Sequence, residues 1–251
     1  MKGSVKQIIP WIVPLILLFC WQLFALMGII PERILPAPSD VFQAAVSLLS
    51  TGELFTHISA SLGRAAAGFF IGGIIGFLFG LFNGISRSSD LLFDTSIQML
   101  RNIPHLALIP LAILWFGIDE TSKVFLVALG VLFPIYINTY HGIKSVDKSL
   151  IEMGRAYGLK GKSLFLAVIF PGSLSSILVG VRFSLGVMWL TLIVAETIST
   201  HSGIGYMAMN AREFMQMDVI VLSIVLYALL GKLSDIIARY FERKLLRWNT
   251  E

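Results

Sequence analysis

The sequence predicts an all-α, polytopic membrane protein, and three observations predict it. Of 251 residues, 56% are hydrophobic and 14% charged, whereas soluble domains carry about a quarter charged residues. The apolar residues are gathered into runs comparable to a bilayer-crossing helix, which needs roughly 20 residues. Lys and Arg concentrate in alternate connections between those runs, as cytosolic loops do. The formal charge of +4 therefore belongs to membrane loops, and no nucleic-acid surface is expected. The single cysteine, Cys20, cannot form an intrachain disulfide and reads as a small packing residue.

Six crossings are expected in one transmembrane domain over residues 1–251. Residues 8–30 contain no Asp, Glu, Lys or Arg. The run is longer than a signal-peptide core and no small-x-small cleavage site follows, so a retained first helix is expected. The other runs are 65–86, 102–118, 124–142, 164–195 (broken only by Arg182) and 219–231. Pro171 and Gly172 divide the fifth, which predicts a re-entrant or interfacial piece before Pro171 and a crossing after about Ser175. With the N-terminus in the cytosol, fourteen Lys and Arg fall in inside segments. Four, Arg33, Arg64, Lys123 and Arg212, fall outside. That bias places both termini in the cytosol.

In the first outer connection, residues 41–49 read as a short amphipathic helix capped by Ser39 or Asp40. It is either an interfacial or partner-docking helix or a plain surface helix. Gly68, Gly72, Gly76, Gly80 and Gly84 recur every four residues, a smooth stripe along which another backbone can approach closely. No strand–turn–helix context supports a nucleotide loop there. Lys232, Asp235, Arg239 and Arg243 share one helical face, so the last helix is expected to emerge into the cytosol, with Trp248 near the headgroups.

Residues 156–163, Ala-Tyr-Gly-Leu-Lys-Gly-Lys-Ser, fit a relaxed phosphate-loop pattern. Such a loop should follow a strand and open a helix, whereas residues 150–157 read as helix themselves. Ser149 and Glu152 form a candidate capping box. Leu150, Met153, Gly154 and Tyr157 share a face, and Gly158 can take the left-handed conformation that ends a helix. The segment is either an ordinary interfacial helix or one presented to a partner, with Gly154 permitting close approach.

Glu152-Met153-Gly154-Arg155-Ala156-Tyr157-Gly158, nine further residues, then Val168-Ile169-Phe170-Pro171 resembles the EAA loop of ABC importer permeases. That loop has Glu-Ala-Ala, three residues, Gly, nine residues and Ile-x-Leu-Pro. Glu152, Gly158 and Pro171 match; Met153 and Gly154 replace the two alanines. The resemblance extends along nearly the whole chain, to the nitrate/sulfonate/taurine branch and especially aliphatic sulfonate importer permeases. It is carried by Leu35-Pro36-Ala37-Pro38, Ser61-Leu62-Gly63-Arg64, Arg101-Asn102-Ile103-Pro104, Leu108-Ile109-Pro110, Trp115-Phe116-Gly117, Gly180-Val181-Arg182, Ala195-Glu196 and Gly203-Ile204-Gly205-Tyr206.

The resemblance implies a type I ABC importer permease fold in a bacterial cell membrane. Residues 149–162 would be the cytosolic coupling segment, with Ser149, Leu150, Glu152, Met153, Gly154, Tyr157, Gly158 and Pro171 meeting or supporting the ATPase. Implied partners are a second copy of the chain, two cytosolic ABC ATPases, an extracytosolic solute-binding protein and a small anionic or zwitterionic substrate. ATP and Mg²⁺ would bind the ATPase, and this chain would hold no cofactor and hydrolyse nothing. Aliphatic sulfonates are the cargo implied first; nitrate, taurine or another small solute would use the same machinery.

An arginine in hydrocarbon is expensive, so Arg182 is either an anchor near the cytosolic end or part of an anion path. Glu196 reads as a helix-end contact or gate. Asn102, His105, Asn138 and His141 either line the path or satisfy internal backbone groups. No histidine pattern suggests a metal, and no triad or paired carboxylates suggest catalysis. An integral membrane enzyme and a membrane scaffold are the alternatives from other classes. Turnover by the isolated chain would favour the first; transport that persists without the chain would favour the second.

Overall fold

The computed structural model describes the backbone of residues 2–198 and 200–248, with side chains from Ile12 onward within those ranges. The helices in chain order are α1 Lys2–Leu26, α2 Pro38–Ser50, α3 Glu53–Ile85, α4 Arg87–Arg101, α5 Ile109–Phe116, α6 Glu120–Lys144, α7 Lys148–Ala156, α8 Gly161–Leu164, α9 Phe170–Ile198, α10 Ile204–Glu213 and α11 Met217–Leu245. Two compact units are present: residues to Ala60 with 201–228, and Ser61–Thr200 with 229–248. Helices α3 and α11 each contribute to both.

Among the described residues, four helices are long and apolar enough to cross a membrane: α3, α6, the joined helix Gly161–Ile198, and α11. Helix α1 adds the apolar stretch Ile12–Leu26. The predicted third crossing, 102–118, is not a single helix. It is the end of a pair, α4 followed by a 3₁₀ turn and α5, bent by 80°. Prolines set the break. Pro104 precedes the 3₁₀ turn, and Pro110 occupies the first turn of α5, where its missing N–H costs nothing.

In the second unit α6 is the central strut. A Cβ on Gly68 would meet Val127, one on Gly80 would stand 2.7 Å from the Tyr136 carbonyl, and one on Gly84 2.9 Å from Ile143. At Gly72 and Gly76 it would collide with the Ala128 and Leu132 carbonyls. The glycine stripe of α3 thus brings it backbone-to-backbone against α6, and the rising pairs show the two helices running parallel. On its other side α6 packs antiparallel to α9, where Gly130 faces Thr191, Asn138 faces Gly180, and Gly142 faces Ser176. Helix α11 packs antiparallel to α9, with Trp189 Nε1 donating to Ser234 Oγ at 3.0 Å.

Small polar residues share the interior with apolar ones, and the exterior is strongly apolar, unlike that of a soluble domain. Ser61, Asn83, Ser173, Ser184 and Thr191 are wholly buried, while Phe70, Ile74, Phe82, Leu190 and Ile224 are exposed. Hydrocarbon as the solvent explains this pattern.

The fifth run departs from expectation at Pro171. Residues 161–198 form one helix of 38 residues, with no re-entrant break. A π-turn spans Phe165–Ile169, and the Phe170 N–H bonds to the Phe165 carbonyl. A proline ring would clash with the carbonyl four residues before it; the widened turn immediately ahead accommodates it.

In the first unit α2 begins at Pro38 with Ala37 as its N-cap, earlier than expected. Asp40 reaches back to the Ala37 N–H at 3.1 Å and so sits inside the first turn. The N-cap expected at Ser39 or Asp40 is therefore not used. Trp21 Nε1 donates to the Pro36 carbonyl at 3.1 Å, and Gln22 accepts from the Ser39 N–H at 3.0 Å, tying α1 to α2. Val41 and Ala44 are buried in the unit while Phe42, Val46 and Leu49 face outward.

Candidate functional site

The segment joining α6 to the long helix is built by short-range rules. The Asp147 carboxylate accepts from the Ser149 N–H at 2.8 Å and caps α7. That bond holds its pKa below the usual carboxylate range. The expected Ser149–Glu152 box does not form: the helix starts one residue before Ser149, which leaves it inside the first turn rather than at the cap. At the other end the Leu159 N–H bonds to the Gly154 carbonyl and the Gly158 N–H to the Arg155 carbonyl. With Gly158 at φ +84° this is a complete Schellman stop. Lys160 and Ser163 then exchange hydrogen bonds at 3.1 and 2.8 Å and open the next helix. The phosphate-loop look-alike is thus the end of one helix and the start of another.

The faces of α7 divide unambiguously. Leu150, Met153 and Tyr157 are exposed, Tyr157 by 82%. Gly154 is buried, and a Cβ there would stand 2.8 Å from Leu164 and 3.2 Å from Val168. The close approach that Gly154 permits is to this chain's own long helix, not to a partner on the exposed face. Gly172 similarly sits against Val146. Helix α7 is therefore fixed to the base of the helix that carries Arg182, Thr191 and Glu196.

The polar residues within the membrane region are spread over several helices rather than gathered in one cavity. His105 contacts Thr191 Oγ1 at 3.0 Å. Asn138 donates to the Pro134 carbonyl at 2.9 Å. Asn102 is exposed at the end of α4. Arg182 pairs with Asp235 at 2.7 Å, and Asp235 also takes Arg239 at 3.0 Å. Glu196 is 1% exposed and accepts from Ser61 at 2.8 Å and from Arg64 Nη1 at 2.7 Å. Arg64 turns its Nη2 to Glu120 at 2.7 Å.

Arg64 and Lys123, expected in outer connections, are both buried. A single arginine ties α3, α6 and α9 at one level. The signal that could have found it is the placement of Glu120 and Glu196 at the matching ends of neighbouring apolar runs. No group of three or more His, Cys, Asp or Glu suited to a metal occurs among the described residues.

Residues 68–247 match the family described as "Binding-protein-dependent transport system inner membrane component". The chain belongs to this family. The permease is 60% identical over 248 residues to SsuC of Escherichia coli K12, a permease protein named for aliphatic sulfonates transport, covering 99% of this chain and 94% of that one. It is 44% identical over 237 residues to SsuC of Bacillus subtilis 168, covering 94% and 86%. It is 33% identical over 241 residues to the taurine transport system permease protein TauC of Escherichia coli K12, covering 94% and 86%. Among solved structures it matches an amino acid ABC transporter chain with TM-score 0.66 at 18% identity, covering 80% of this chain and 97% of that one. It also matches a MetNI methionine ABC transporter chain with TM-score 0.57 at 20% identity, covering 72% and 92%. The fold is that of a type I ABC importer permease. The permease is a multi-pass membrane protein and a transport subunit of an importer, not an enzyme.

Proposed function

We propose that this permease forms the membrane path of an importer for small aliphatic sulfonates. The observation that carries the cargo is the 60% identity to SsuC over nearly the whole of both chains, against 33% to TauC. In this reading two copies pair around the path and an extracytosolic binding protein delivers the sulfonate. Two cytosolic ATPases use ATP and Mg²⁺, and this chain holds neither. Both termini lie in the cytosol.

The coupling element is α7. Its exposed Leu150, Met153 and Tyr157 give an ATPase an apolar face, while Gly154 keeps the helix pressed to Leu164 and Val168. Displacement of α7 would then move the whole length of 161–198. Glu152 is an exposed charge beside that face. His105 and Asn138, which face α9, Asn102, exposed at the end of α4, and Glu196 on α9 itself are the residues such a motion would carry past the path, while Arg182 stays anchored to Asp235 of α11. The glycine stripe holds α3 to α6 while it does so.

The test is ATP-dependent uptake of radiolabelled ethanesulfonate into vesicles containing permease, ATPase and binding protein. Saturable uptake that excess taurine or nitrate leaves largely intact supports the sulfonate reading. Uptake of taurine or nitrate in its place would move the cargo while keeping the machine.

A further inference from the structure

The face that α9 and α11 share outside the coupling segment carries two adjoining cavities. One, of about 510 Å³, is lined by Arg182, Arg239, Arg243 and Arg247 with Ser175, Glu242 and Leu246. Four guanidiniums face one carboxylate there. Asp235 is committed to Arg182 and Arg239; Arg243 and Arg247 have no ion pair among the described residues. The second cavity, of about 450 Å³, shares Arg182, has Asp235 beside it, and runs along α9 past Val179, Phe183, Gly186, Val187 and Leu190. These positions recur at helical spacing, and Val179, Phe183 and Leu190 are exposed. A Cβ at Gly186 would meet nothing within 4 Å, so the chain's own packing does not require a glycine there, and its absence of side chain leaves the groove open.

We infer that this paired site holds an anionic phospholipid, the phosphate in the arginine pocket and an acyl chain along the α9 groove. A cationic pocket between membrane helices on the cytosolic side suits an anionic headgroup, and the planar guanidinium fork suits phosphate oxygens. The apolar groove begins at Arg182 and leads away from the charged end of α11, which is the polarity of a lipid in the inner leaflet. The inference rests on the proposed cytosolic placement of the end of α11 and not on the cargo.

The test uses the full-length permease in mild detergent, offered equal phosphatidylglycerol and phosphatidylcholine, with retained lipid counted by native mass spectrometry. Wild type should retain phosphatidylglycerol with a preference of about ten-fold. Arg243→Gln with Arg247→Gln should reduce that preference to near unity, whereas Arg87→Gln with Arg101→Gln, removing the same charge elsewhere, should leave it. Gly186→Leu should lower retention of both lipids without lowering the melting temperature. An unchanged preference in the Arg243→Gln, Arg247→Gln protein overturns the site. So does protection of the pocket by inorganic phosphate or butanesulfonate equal to that by phosphatidylglycerol, which would make it a free-oxyanion site. Loss of dimer with unchanged lipid in Gly186→Leu would assign the groove to a second copy instead.

Discussion

Glu196 shows what a charge inside this permease is for. Its oxygens take Ser61 and Arg64 in a site closed to solvent, and Arg64 carries the tie on to Glu120. Removing one member of a buried pair strands the other, at a cost of about 3 kcal/mol. Glu196→Ala should therefore lower the melting temperature of purified permease markedly, and Glu196→Gln less, because the amide oxygen still accepts hydrogen bonds. A Glu196→Ala protein that melts with wild type would remove the tie from the stability of the fold. Glycines give a paired test at the same scale. Gly72→Ala should weaken packing because the methyl collides with the Ala128 carbonyl, whereas a Cβ at Gly63 meets nothing within 4 Å. Gly63→Ala should be neutral or stabilise the helix by up to about 1 kcal/mol; equal melting of the two variants would contradict the close approach of α3 and α6. The glycine spacing was legible from sequence because a four-residue period names a helical stripe by itself. Arg64 and Lys123 were not. A charge ends an apolar run when read locally, and the partner Glu196 lies 132 residues away from Arg64.

Element boundaries were readable where a turn has its own chemistry and unreadable where tertiary context sets them. Gly158 ends α7 as its conformational freedom predicts. Pro171 does not end the fifth run, because the π-turn before it absorbs the ring, and no local pattern announces a π-turn. Burial also changes how α7 must be probed. Gly154→Arg would drive a long side chain into Leu164 and Val168 and damage the permease itself, so it cannot isolate coupling. Met153→Asp and Tyr157→Ala alter the exposed face instead. Each should leave insertion and melting unchanged while reducing ATPase co-purification and uptake, Met153→Asp the more because it brings an unpaired charge into an apolar contact. Normal association and uptake in both would take α7 out of the interface. The cap of α7 gives a pH signature. Asp147 has a depressed pKa in the folded helix, so its contribution is present above the ordinary value of about 3.9 and is lost as pH falls through the lower folded value. Hydrogen exchange of the first turn should accelerate only under that acid condition. In Asp147→Asn, which still caps, the acid step should vanish; an acid step that persists would mean another group controls the turn.

At the scale of the whole chain, helix direction decides topology. Helices α3 and α6 are successive long helices yet run parallel, since Gly68 meets Val127 and Gly84 meets Ile143. Two successive crossings in the same direction require the chain between them to return across the bilayer. Only α4 and α5 lie there. At about 1.5 Å per residue, α4 rises roughly 22 Å and α5 roughly 12 Å, each short of a core of about 30 Å. The pair together must therefore make the return, bent by 80° at Pro104. Within the second unit α9 then runs antiparallel to α6, and α11 antiparallel to α9. The apolar runs of the sequence located the long helices α3, α6, α9 and α11; they hid the bent return because the charged helix α4 resembles a loop in a hydropathy profile. Single cysteines in a Cys20→Ser background test the arrangement with a membrane-impermeant thiol reagent. Ser88→Cys and Lys160→Cys should react only when the cytosolic side is exposed, and Ile118→Cys and Met215→Cys should react from outside. Labelling of Ile118→Cys from the cytosol alone would mean that α4 and α5 re-enter without crossing. Helices α3 and α6 could not then run parallel, because the start of α6 would be held on the wrong side of the bilayer from Arg64.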